Sequence, residues 1–215
     1  MGQQPSGRLF VGRLLLGAFL LGWCGGFAAR WSLEDVERPD VGRPHQTTDA
    51  LDIRTVVEQI IKVESDGDPD AKNKRSSAMG LAQFLEETWI RLIRAHRPDL
   101  VVAHSESEIL QLRRDADLAR EIAERFTEGN AEMLRRRGLP VTPGTLYLAH
   151  FAGGAGAVAI LSADEQADAA SIMASADASG RTSREKLIKA NPFLERLTVA
   201  DLKSWADRKM RARSL

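Results

Sequence analysis

Apolar residues recur at helical spacing along most of this chain, and strand-like alternation does not stand out. Ile53, Val56, Val57, Ile60 and Ile61 follow at intervals of three and four. They predict an amphipathic helix with Arg54, Glu58 and Lys62 on its polar face. Thr88 to Arg97 reads as a helix with Trp89, Leu92 and Ile93 inward. Asp115 to Arg137 reads as one long helix stopped by Gly138. Thr142-Pro143 supplies an N-cap and a first-turn proline for the next helix, which the small-residue run Gly153 to Leu161 continues. Thr182-x-x-Glu185 and Thr198-x-x-Asp201 have capping-box spacing for two terminal helices. There is no internal repeat. The pattern predicts a single all-α domain.

One apolar segment stands apart from this periodicity. Residues 9–29 carry Arg13 and follow Arg8, and Leu14 to Ala29 is uncharged, so residues 1–30 read as an export signal or a short signal-anchor. Gly26-Phe27-Ala28 is a small-x-small site for cleavage before Ala29, and retention as an anchor stays equally open. Cys24 is the one cysteine and lies inside this segment; Trp23 stands where lipidation needs a small residue. The exported body therefore has no disulfide to lean on. Residues 31–48, broken by Pro39 and Pro44, read as a polar linker, leaving 49–215 as the folded domain. About 165 residues suffice for one domain with a proper core.

Lys+Arg and Asp+Glu both number 30, so no global field favours nucleic acid. Arg135-Arg136-Arg137 and Lys209 to Arg213 sit at predicted helix C-termini, where cations complement the helix dipole.

The candidate chemistry begins at Glu64. It lies four residues after Ile60 and seven after Val57, so it extends the apolar face of its helix. Partial desolvation there raises a carboxyl pKa, as a general acid near neutral pH requires. A solvated glutamate at a frayed helix end is the ordinary alternative. Glu64 leads into a Pro/Gly/Asn/Ser-rich turn and then a compact Gly-Leu-Ala-Gln segment, through Phe84. The run Glu64-Ser65, Pro69-Asp70-Ala71, Ser76-Ser77-Ala78, Gly80-Leu81-Ala82-Gln83, Phe84 resembles the signature of the soluble lytic transglycosylases, relatives of goose-type lysozyme. Ala82 replaces the usual Met, and Gly67 stands where an aromatic is common.

A second stretch, Ala149-His150-Phe151-Ala152-Gly153, is similar to the family's Ala-Tyr-Asn-Ala-Gly motif, with His for Tyr and Phe for Asn. Its setting, Leu146-Tyr147-Leu148-Ala149-His150-Phe151, looks like a bacterial subgroup, as do Leu112-Arg113-Arg114-Asp115 and Phe126-Thr127-x-x-Asn130. The resemblance spans about residues 51 to 205. Tyr147 is the one tyrosine, so the family's further C-terminal tyrosine has no counterpart; Phe193 falls in that region.

The resemblance implies a lysozyme-like fold and peptidoglycan glycan strands as substrate. It implies Glu64 as the catalytic acid and then base, giving 1,6-anhydromuramoyl ends without consuming water. Substrate contacts would come from Ser65, Met79, Gly80, Leu81, Gln83, Tyr147, His150 and Phe151. Ser65 would orient Glu64 across the loop, Gln83 and the Gly80–Ala82 backbone would hold an N-acetyl group, and His150 and Phe151 would form the opposite wall. No metal or cofactor is implied. The four histidines lack metal-ligand spacing, and Asp66-x-Asp68-x-Asp70 departs from a calcium loop at Ala71 and Ser77. Gly153-Gly154-Ala155-Gly156 lacks the strand and Lys of a phosphate loop. The expected place is the periplasm, exported or anchored at the inner membrane. General wall remodelling and service to an envelope-spanning secretion or flagellar machine both stay open. Two other readings stand beside this one: a lysozyme-like hydrolase with Asp66, Asp68 or Asp70 as base, and a membrane-tethered peptidoglycan-binding scaffold.

Overall fold

The computed structural model describes residues 51–211. The expected signal or anchor, the linker, Cys24, His45 and the last residues of the second basic cluster lie outside the described residues. Helices follow one another as α1 (Ile53–Glu64), α2 (Glu86–His96), α3 (Pro98–Ala103), α4 (Glu106–Gln111), α5 (Ala116–Arg136), α6 (Pro143–Ser162), α7 (Ala169–Ser175), α8 (Arg184–Ala190) and α9 (Val199–Arg211). Single 3-10 turns at Leu112–Arg114 and Pro192–Arg196 precede α5 and α9. Among the described residues the chain forms isolated β-bridges but no strand, as the periodicity predicts.

Local chemistry explains the boundaries. Asp52 caps α1 by accepting from the amides of Arg54 and Thr55. Asp115 caps α5 in the same way, and Gly138 turns the chain after it at φ 66. Thr142 and Thr145 cap α6 reciprocally, with Pro143 in its first turn. Thr198 and Asp201 do the same before α9. At α8 the expectation fails by one residue: the cap is Ser183, which accepts from the Lys186 amide, while the Thr182 amide donates to Asp177. The predicted continuous run through Gly153 is also corrected. Gly153 sits at φ 71, ψ 163, so α6 breaks there and restarts. That backbone is essentially closed to other residues.

Two hydrophobic cores share α1. Val56 and Ile60 belong to one, with α6, α7 and α9. Val57 and Ile61 belong to the other, with Leu81, Phe84, α2 and the first half of α5. An apolar stripe two residues wide thus meets a core on either side, and Glu64, one turn further on, lies at their seam. Trp89, fully buried in the second core, donates from Nε1 to the Ile109 carbonyl at 2.7 Å, tying α2 to α4.

Trp89→Phe removes the buried indole donor from that carbonyl, leaving it only the Leu112 amide, and opens a small void. It should lower unfolding free energy by about 2–3 kcal/mol in urea titration. A loss well under 1 kcal/mol would mean the indole bond is replaceable.

Candidate active site

Glu64 ends α1, and the chain then turns sharply through two left-handed residues, Asp66 at φ 60 and Gly67 at φ 83. Ser65 holds this turn: its Oγ donates to the Ile61 carbonyl at 3.3 Å and accepts from the Gly67 amide at 3.2 Å. The hydroxyl is therefore engaged locally, rather than reaching across the loop to Glu64. The turn directs Glu64 inward, where it is only 7% exposed and its Oε1 has no hydrogen-bond partner. Burial pushes its carboxyl up to about 8, against the smaller opposing pulls of Tyr147 and the Lys209 charge.

Tyr147 comes from α6 and is fully buried, its ring packed on Trp205 at 5.3 Å. Its hydroxyl acts on Glu64 electrostatically without a hydrogen bond of conventional geometry, and Tyr147 Oη also lacks a partner. The neighbouring acidic run is turned elsewhere. Asp66 pairs with Lys62, Asp70 with Arg114 at 2.9 Å, and Asp68 accepts from the Asp70 amide. Among the described residues, the charge acting on Glu64 is that of Lys209, with no carboxylate contribution.

The segment from Ala71 to Phe84 folds without strands, held by short backbone bonds and by side-chain donors. The Gly80 amide donates to Ala71, and the Met79 amide to Phe84. Gln83, itself left-handed at φ 52, donates from Nε2 to the carbonyls of Ala71 at 3.1 Å and Gly80 at 2.9 Å. Both amide hydrogens are thereby used, leaving Oε1 as the group Gln83 can offer a ligand. Gly80 has φ 80, and a Cβ there would lie 1.9 Å from the Arg113 carbonyl oxygen, so glycine is required. Leu81 is buried in the second core beneath the loop, and Met79 is half-buried.

His150, on α6, lies with Nε2 3.0 Å from the Ala82 carbonyl. A carbonyl only accepts, so Nε2 carries the hydrogen. The ring packs against Phe84 at 5.5 Å and Phe126 at 5.9 Å, and burial lowers its pKa to about 4. His150 is thus a neutral strut between α6 and the loop, and its Nδ1 has no partner. Phe151 is placed differently from the expected wall. It is fully buried against Phe193 at 5.8 Å and Trp205 at 5.1 Å, in the first core. Asn130 of α5 contributes another buried atom without a partner, Nδ2. Orphaned polar atoms on α1, α5 and α6 are what a ligand or water would satisfy.

Sequence reasoning passed over Lys209, read as part of a solvated helix end, and the burial of Arg113, quoted only for likeness. A cavity of about 580 Å³ lies between the start of α6 and the end of α9, lined by Gly144, Leu148 and Met210 among others. It does not include Glu64, and the chemistry gathers at the acid instead.

Residues 47–134 match the family model of the Transglycosylase SLT domain, a lysozyme-like family of lytic transglycosylases, and the resemblance read from the sequence holds over that span. The match runs from before α1 through most of α5; α6, with Tyr147 and His150, lies beyond it. No curated protein matches the chain.

The raised carboxyl has a thermodynamic signature. Between its ordinary value of 4.5 and about 8, the unfolded chain has released a proton that native Glu64 keeps. Native stability therefore falls as pH rises through that window and levels off above it. Glu64→Gln removes this dependence. Its stability advantage over the parent should grow from pH 4 to pH 8 by up to about 4–5 kcal/mol, read from paired thermal melts. Parallel curves would mean the carboxyl is not buried in its neutral form.

Proposed function

We propose that this chain, carrying a transglycosylase SLT domain, is a peptidoglycan lytic transglycosylase with Glu64 as its sole catalytic carboxyl. The observation that carries the reading is the buried Glu64, its carboxyl pushed up by that burial, with no carboxylate among the described residues acting on it. Two-carboxylate glycosidases need a partner group to act as base or nucleophile. A lone acid suits a reaction whose nucleophile belongs to the substrate.

Glu64 gives its proton to the glycosidic oxygen between N-acetylmuramic acid and N-acetylglucosamine. The C1–O bond breaks, and the adjacent N-acetyl group stabilises the positive centre. The Glu64 carboxylate then takes the proton of the muramic acid 6-hydroxyl, whose oxygen closes on C1 to form the 1,6-anhydro ring. Glu64 ends protonated, and water is not consumed. Tethering the nucleophile gives it a high effective molarity. Tyr147 Oη faces the carboxyl with no other partner, so it is free to donate to the carboxylate midway. Gln83 accepts through Oε1, with Met79, Gly80 and Leu81 shaping the loop beside the glycan. Residues 49–215 form the catalytic domain, carried to the periplasm by residues 1–30 as a cleaved signal or a retained anchor, with residues 31–48 as the linker between them.

Muropeptides released from purified sacculi by the full chain should be anhydro products, one water lighter than hydrolytic ones in mass spectrometry. Glu64→Gln should release none. Reducing-end products would make it a hydrolase, and binding without release a scaffold. Tyr147→Phe should slow turnover about 10–100-fold, the worth of a hydrogen bond to a charged group. A rate equal to the parent would remove Tyr147 from the mechanism.

A further inference from the structure

We propose that Arg113 is a positioning residue that clamps the loop 77–84 into the shape that receives the glycan; this rests on the reading of Glu64 as the acid. Arg113 lies in the 3-10 turn before α5 and is 2% exposed. Its Nε donates to the Leu110 carbonyl at 2.9 Å, near the end of α4. Its Nη1 donates to two carbonyls at opposite ends of the loop, Ser77 at 2.6 Å and Phe84 at 3.2 Å. Its Nη2 lies 3.6 Å from the exposed Glu86 carboxylate. Between those ends, Gly80 rests directly on the Arg113 backbone carbonyl. One residue thus grips both ends of the loop with its side chain and supports the middle with its main chain.

A buried guanidinium is a poor way to gain stability alone, since apolar residues of similar volume often serve as well or better. What it supplies is direction. A planar fork fixes the orientation of two carbonyls, and hence of the backbone between them, as a lysine ammonium does not. That backbone carries Ala82, whose carbonyl takes the His150 bond, and Gln83, whose left-handed conformation aims its side chain. Phe84, whose carbonyl Arg113 holds, also presents its ring to His150 and Phe126. The clamp therefore reaches across the loop to α6.

The test uses Arg113→Met and Arg113→Lys in the full chain, each also combined with Glu64→Gln so that sacculus binding is measured without cleavage. Amide exchange should accelerate at least tenfold over residues 77–84 and stay unchanged in α2 and α5. Affinity for purified sacculi should fall at least tenfold. The pH window of the Glu64→Gln stability difference should not move. Lysine keeps the charge and guards against a methionine variant that does not fold; it should keep the fold and still lose affinity. Full recovery of affinity by lysine, or faster exchange spread evenly over α2 and α5, would overturn the clamp. So would sacculus binding equal to that of the Glu64→Gln parent. If Glu64→Gln alone leaves muropeptide release intact, the assignment of the acid fails, while loop exchange and sacculus binding still decide the role of Arg113.

Discussion

Keeping the Glu64 carboxyl out of water demands that a helix end, ordinarily the most hydrated part of a helix, be enclosed on several sides. The enclosure comes from α6 and α9, which bring Tyr147 and Lys209 toward the acid, and from the two cores that meet on α1. Each part of the structure near the site serves that enclosure or gives it a door. The residual 7% exposure and the orphaned Oε1 fit a group screened from bulk solvent yet left for a ligand. Burial alone sets the proton in place.

The loop from Ala71 to Phe84 is specified in an uncommon way. With no strand partners, its carbonyls are met by a few backbone amides of the loop itself and by side chains reaching in: Gln83 from within, Arg113 from the turn before α5, and His150 from α6. Three donors of different chemistry converge on one stretch of backbone. The neutral state of His150 follows from this, because a ring buried between Phe84 and Phe126 serves as a strut without needing charge.

Where a feature depends on near neighbours in the chain, the sequence made it legible. The caps at Thr142 and Thr198, the stop at Gly138 and the inward position of Glu64 all follow from spacing within one or two turns. Features that depend on distant packing were hidden. Between Glu64 on α1 and Tyr147 on α6 the chain runs through α2 to α5, so only the second motif pointed toward Tyr147. That motif offered Tyr147, His150 and Phe151 alike as substrate contacts, with nothing to single out Tyr147 as the group beside the acid. Phe151 was read as a wall, but its neighbours Phe193 and Trp205 arrive from the last part of the fold and enclose it. Arg113 carried no warning of burial, since arginine is ordinarily solvated and its partners are backbone carbonyls that no side-chain pattern reveals. The break at Gly153 was masked by a run of small residues that reads as continuous helix.

The character of α6 bears on how the protein comes into being. Its buried residues run from Gly144 to Ile160 around the whole circumference, and it is apolar and long enough to pass for a membrane span. Such a helix is stable in water only when wrapped. Its wrapping comes partly from α1 and α5, made before it, and partly from α7 and α9, made after it. A nascent chain that has emerged through α6 alone therefore carries two half-clad apolar helical segments joined at Gly153. That stretch keeps an apolar face open to water until the last helix arrives.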